Sequence, residues 1–72
     1  MVTFTIEREI SELSTSGSTS KRLTVTTWND NPAKLDLRVW RDVGGEQLPG
    51  KGITLTDNEA EVLRDALIEY LG

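Results

Sequence analysis

The stretch that decides the fold runs from Trp28 to Leu55, WNDNPAKLDLRVWRDVGGEQLPGKGITL. It holds both tryptophans of the chain and four of its eight basic residues. Side chains alternate across a strand, with successive residues on opposite faces. Lys34, Asp36, Arg38 and Trp40 therefore share one face, and Leu35, Leu37 and Val39 share the other. On the preceding segment the same spacing sets Arg22, Thr24, Thr26 and Trp28 against Leu23 and Val25. The expectation is a sheet with one apolar face and one face of arginine, lysine, threonine and tryptophan. Aromatic rings among cations suit a single nucleic-acid strand, because they offer π faces to bases and positive charge to phosphates. The competing reading for each tryptophan is packing, since aromatics are common in strands and tryptophan is usually well buried. The basic neighbours on the same faces favour binding.

Working outward, Val2 to Leu13 alternates Phe4, Ile6 and Ile10 against Thr5, Glu7, Glu9 and Ser11, which predicts a first strand with one buried face. Ser14 to Ser20, STSGSTS, reads as a small-residue loop, and a plain hairpin connection outweighs a phosphorylation site or ligand clamp. Lys21 to Trp28 is the second strand. Asn29-Asp30-Asn31-Pro32 is a turn, because Asn and Asp tolerate turn geometry and Pro32 has no N–H for a ladder. Lys34 to Arg41 is the third strand, Asp42 to Gly50 a loop and Lys51 to Leu55 a short fourth strand. Thr56 to Glu59 has the pattern of a capping box, which starts a helix over about 57–71. Ala60, Leu63, Ala66, Leu67, Tyr70 and Leu71 then form an apolar stripe, broadened by Val62 and Ile68. The expected class is α+β, a four-stranded antiparallel sheet followed by a C-terminal helix (β-β-β-β-α), in one domain over 1–72.

A chain of 72 residues is marginal on its own without a staple. It has no cysteine, so neither a disulfide nor a thiolate metal site can serve, and association is the remaining common route. A stripe as wide as that of the helix can serve two partners, its own sheet and the helix of a second copy. Leu63, Leu67, Tyr70 and Leu71 are the expected dimer interface. No apolar run approaches the ~20 residues of a membrane span, and the N-terminus lacks a signal-peptide layout. A cytoplasmic protein is expected, nucleoid-associated if bacterial. The absence of histidine removes the commonest general base and metal ligand, and no carboxylate pair stands out, so neither catalysis nor a metal or cofactor is expected.

The net charge of −4 argues against an anionic partner only until it is divided along the chain. Residues 1–20 carry −2, residues 21–56 carry +2 and residues 57–72 carry −4. Local fields, not net charge, decide where an anion docks. Gly45 to Lys51, GEQLPGK, matches the first seven positions of a phosphate-binding P-loop. The next residue is Gly52 instead of a Ser or Thr, and a strand follows in place of a helix, so nucleotide hydrolysis is rejected.

Residues 34–55 resemble the signature of the positive-cofactor-4 family of transcriptional coactivators. The likeness rests on Leu35-Asp36-Leu37-Arg38, the aromatic at Trp40, Pro49-Gly50, and Lys51-Gly52-Ile53-Thr54-Leu55 before an acidic helix start. The Trp28-Asn29-Asp30 turn resembles the small bacterial branch, and the resemblance covers roughly residues 21–71. It implies a curved sheet, helices that pair into a homodimer, and grooves for single-stranded or unwound DNA. By position it implies that Trp28 and Trp40 stack on bases and that Lys21, Arg38 and Lys51 meet phosphates, with Lys34 near another basic family position. Thr26 and Asn29 stand where the family carries basic residues, which bears on affinity and not on fold. The serine-rich, acidic regulatory region of eukaryotic members has no counterpart here, so a role through phosphorylation is not carried over.

Together these readings give a homodimer that binds single-stranded DNA, or RNA, with low sequence preference, through Lys21, Arg22, Thr24, Thr26, Trp28, Lys34, Arg38, Trp40 and Lys51. Unwound DNA in transcription, replication or repair is the expected setting. The rival class is a dimeric protein-interaction module of the same fold with no direct nucleic-acid contact.

Overall fold

Alternation is kept in the two central strands and broken in both edge strands, and that difference curls the sheet. The computed structural model describes residues 3–72; Val2, expected to open the first strand, lies outside them. The elements are β1 (Phe4–Ser16), β2 (Thr19–Trp28), β3 (Lys34–Val43), β4 (Glu46–Leu55) and α1 (Asp57–Leu71). The strands pair antiparallel in the order β1-β2-β3-β4. The expected α+β class, with a four-stranded antiparallel sheet and a C-terminal helix, is the observed one.

β1 slips register between Ile6 and Arg8, between Glu9 and Ser11, and between Glu12 and Ser14. Each slip inserts one residue, at Glu7, Ile10 and Leu13. β4 carries another slip opposite the Arg38–Trp40 segment. An extra residue bends its strand and raises the local twist, and bulges on edge strands also blunt pairing with foreign strands. The bulges also explain why the simple alternation read for β1 fails. Phe4 and Ile6 are half-buried, whereas Ile10 and Leu13 are exposed.

Two expected loops are mostly strand. Ser14, Thr15 and Ser16 pair with Lys21, Ser20 and Thr19, so the 14–20 loop shrinks to a turn at Gly17-Ser18. β3 continues to Val43 and β4 begins at Glu46, so the 42–50 loop shrinks to Gly44-Gly45. Gly44 and Gly45 have φ of 60° and 85°, the pair of positive angles that a tight hairpin turn matched to strand twist requires. Pro49 lies inside β4 because an edge strand tolerates a residue without an N–H.

The fully enclosed side chains are Trp40, Thr24, Thr26 and Asp36, with Arg22 only 7% exposed. All five belong to the face expected to be open. The curl turns that face inward and closes it over its own long side chains. The opposite face, with Leu23, Val25, Leu35, Leu37 and Val39, is half-buried. The helix touches the sheet chiefly along β4 and buries none of its residues. Its start is the expected capping box: the Glu59 N–H donates to Thr56 Oγ1 at 3.1 Å, and the Thr56 N–H donates to Glu59 Oε1 at 2.9 Å.

Gly52 sits directly against β3. A Cβ there would lie 2.5 Å from the Leu37 carbonyl oxygen and 2.6 Å from Arg38 Cβ. Gly52→Ala is expected to destabilise the protein by about 1–3 kcal/mol, as overpacking against backbone does. Urea unfolding is the measurement, and an unchanged midpoint would show that β4 can shift away freely.

Candidate nucleic-acid interface

The inner face is organised by two arginines, each set over a tryptophan. Arg22, on β2, donates from Nη1 to Glu9 Oε1 at 2.7 Å and from Nη2 to Gln47 Oε1 at 2.9 Å. It therefore bridges β1 and β4, the two edges, across the curl. Its guanidinium carbon lies 5.1 Å from the Trp40 ring centroid. Arg38, on β3, lies 4.6 Å from the Trp28 ring centroid. Its Nε and Nη2 donate to the Asp36 carboxylate at 3.0 Å each, and its Nη1 donates to the Gly50 carbonyl at 2.9 Å.

Asp36 also accepts from Trp28 Nε1 at 3.0 Å. Its side chain has no exposed surface, and its charge is compensated by Arg38 beside it. A buried carboxylate is tolerable only when paired and hydrogen-bonded, and Asp36 is both. Thr24 and Thr26 satisfy each other through hydroxyls 2.7 Å apart. Phe4 completes an aromatic cluster, with ring centroids 5.6 Å from Trp28 and 5.2 Å from Trp40. The two indoles are near parallel, 13° apart in plane and 6.3 Å apart in centroid. Arg22 Nε and Trp40 Nε1 are buried donors without a partner among the described residues.

The expected site residues separate into three groups. Thr24 and Thr26 are fully enclosed, and Arg22 and Trp40 are nearly so, which gives all four a packing role, although the edges of Arg22 and Trp40 border a recess of about 300 Å³ with Thr19, Arg41 and Gln47. Trp28, Lys34 and Arg38 come together around a recess of about 200 Å³, rimmed by Asn31, Pro32 and Thr54. Lys21 and Lys51 lie on the outer face beside Val39 and Ile53. Arg41, which the sequence reading did not single out, shares that outer face with Lys51 next to Leu48 and Pro49. Its odd-numbered place on β3, in phase with Val39, was the signal that could have found it. Lys21, Lys34, Arg41 and Lys51 are exposed, and among the described residues none of them makes an ion pair.

The helix residues expected at a dimer interface are exposed: Leu63 at 38%, Leu67 at 46%, Leu71 at 76% and Tyr70 at 84%. Leu63, Leu67 and Leu71 line one side of an apolar groove of about 560 Å³, with Leu23, Leu35 and Leu55 on the other. No helix among the described residues is long and apolar enough to cross a membrane.

Comparison with known proteins adds two findings. The family model described as Transcriptional Coactivator p15 (PC4) matches residues 16–66. An uncharacterized protein of Treponema pallidum (strain Nichols) is 40% identical over 65 residues, which is 89% of this chain and 74% of that protein.

Asp36→Ala strands both the Trp28 indole N–H and the Arg38 guanidinium, and is expected to destabilise by about 3–5 kcal/mol, as breaking a buried pair does. Asp36→Asn keeps one acceptor and should lose less. Denaturant unfolding of both variants checks the order; Asp36→Ala as stable as wild type would remove the carboxylate from the centre of the fold.

Proposed function

Because the chain belongs to the transcriptional coactivator p15 (PC4) family, known for single-stranded DNA binding and coactivator roles, we propose that it is a homodimeric, non-catalytic single-stranded DNA-binding protein of low sequence specificity. It acts in the cytoplasm on unwound DNA. The observation that carries the reading is the recess where Trp28, Arg38 and Lys34 meet. It offers planar groups for a base beside an unpaired cation for a phosphate, the combination that a single strand needs. Lys21, Arg41 and Lys51, which make no ion pair among the described residues, extend positive charge onto the outer face.

The sum of these fields is modest in a chain of net charge −4. Affinity should therefore fall only gently with salt, in proportion to the few phosphate contacts these cations can make. Each phosphate contact contributes about −0.7 to the slope of log affinity against log salt for single strands. The dimer reading is supported by the exposed stripe on α1 and the apolar groove beside it. A 15-residue helix that buries none of its side chains leaves unused the area a small domain needs for stability. A second copy supplies a matching stripe.

Binding of a labelled oligo-dT and of the matching duplex, followed by fluorescence anisotropy at low and physiological salt, tests the function. The single strand is expected to bind at lower concentration than the duplex, and both should weaken with salt. Lys34→Ala should flatten the single-strand salt slope by about 0.7. No binding of either form would leave the protein-interaction module as the better reading. For the dimer, Leu67→Asp places a charge in the apolar stripe and should halve the mass seen by light scattering or unfold the protein. Wild type and variant both monomeric and equally stable would remove the dimer.

A further inference from the structure

Trp28 lines the recess, but it is half-buried and much of its ring is covered. Arg38 lies over it, Trp40 runs nearly parallel to it and Phe4 packs against it. Its N–H is committed to Asp36. The other planar group at the recess is the Arg38 guanidinium, whose side chain keeps 17% of its surface exposed. A guanidinium plane is a recognised surface on which an unstacked base can lie.

Arg38 is also held more firmly than a phosphate-seeking arginine needs to be. Two of its nitrogens are bound to one carboxylate and a third to the Gly50 carbonyl. This leaves little freedom to swing toward a backbone phosphate, and it fixes the plane. Gly52 opposite Arg38 removes the side chain that would otherwise press on its Cβ. Asp36 lowers the local positive charge, so the group keeps its flat face while losing much of its value as a free cation. Lys34 lines the same recess and makes no ion pair among the described residues, so it is the free cation there.

We propose that the base-stacking platform of this recess is the guanidinium of Arg38, clamped by Asp36 and Gly50 and backed by Trp28, and that its role is to hold a base and not a phosphate. The inference rests on the single-strand reading above and assigns a residue within it. Arg38 is then the group that makes binding depend on the presence of bases.

The test compares oligo-dT with an abasic strand of equal length, using the full chain. Wild type is expected to favour oligo-dT by about tenfold, within the range for one stacked base. Arg38→Lys keeps the charge and removes the plane. It should shrink that preference to within about twofold while leaving the salt slope unchanged. A measurement that needs no variant uses the side-chain Nε–H resonance of Arg38 and the indole N–H resonance of Trp28 in the wild-type protein. Oligo-dT, and not the abasic strand, should shift the Arg38 signal through the ring current of the base, with the Trp28 signal nearly still. Three results overturn the proposal: Arg38→Lys retaining the full preference, Arg38→Lys binding oligo-dT more tightly because Trp28 is uncovered, or an Arg38 signal lost to exchange while the Trp28 signal moves. Wild type that binds both strands equally overturns this inference alone; wild type that binds neither overturns the single-strand function as well.

Discussion

The carboxylate of Asp36 is the constraint on which the rest of the inner face depends. It has no exposed surface, yet it accepts from the Trp28 indole on one side and from two nitrogens of Arg38 on the other. Through those contacts it fixes the orientation of one aromatic ring and one guanidinium plane. Hydrogen bonds to a charged group contribute more than neutral ones, about 1.5–3 kcal/mol each, and an unmade one leaves a buried charge. The inner face is thus a polar core that holds its shape only while every partner is in place. Arg22 repeats the device on a larger scale, bridging Glu9 on one edge strand and Gln47 on the other.

A core of this kind changes where function can reside. Most of the arginine–tryptophan face is consumed in closing the curl, and what stays open is a recess at each end, one where Trp28, Arg38 and Lys34 meet and one bordered by Arg22, Trp40 and Gln47. Lys21, Arg41 and Lys51 lie on the outer face, among aliphatic residues. The acidic helix sits apart from both, with its apolar stripe exposed. The proposed stacking, phosphate attraction and association would thus fall on different parts of one small domain, the recess, the outer face of the sheet and the helix. Leu67 lies on the helix, away from the recess, whereas a change at Asp36 reaches the recess and the fold together.

The sequence made some of this legible and not the rest. The capping box at Thr56 and Glu59 is a local pattern of four residues, and it stands as read. The grouping of Arg22, Thr24, Thr26 and Trp28 with Asp36, Arg38 and Trp40 was also readable, because alternation holds in β2 and β3. Which of the two faces turns inward was not readable. That depends on the bulges at Glu7, Ile10 and Leu13, and nothing in the local composition of FTIEREISELSTS distinguishes an inserted residue from an alternating one. Ser14 to Ser16 and Glu46 to Gly50 read as loop from their small residues, proline and glycine. Ladder pairing with a central strand overrides that weak preference. The family resemblance pointed to Trp40 as a base contact, and its burial to 1% gives it a core role here.

The measurement that bears most directly on the account is amide chemical-shift mapping of the protein with a short oligo-dT. The account predicts that the largest changes fall at the mouth of the inner face, at Trp28, Asn31, Lys34, Arg38 and Thr54, with smaller ones at Lys21 and Lys51. Residues 57–71 should stay nearly unmoved. Changes confined to the helix, or none anywhere at saturating oligonucleotide, would contradict it.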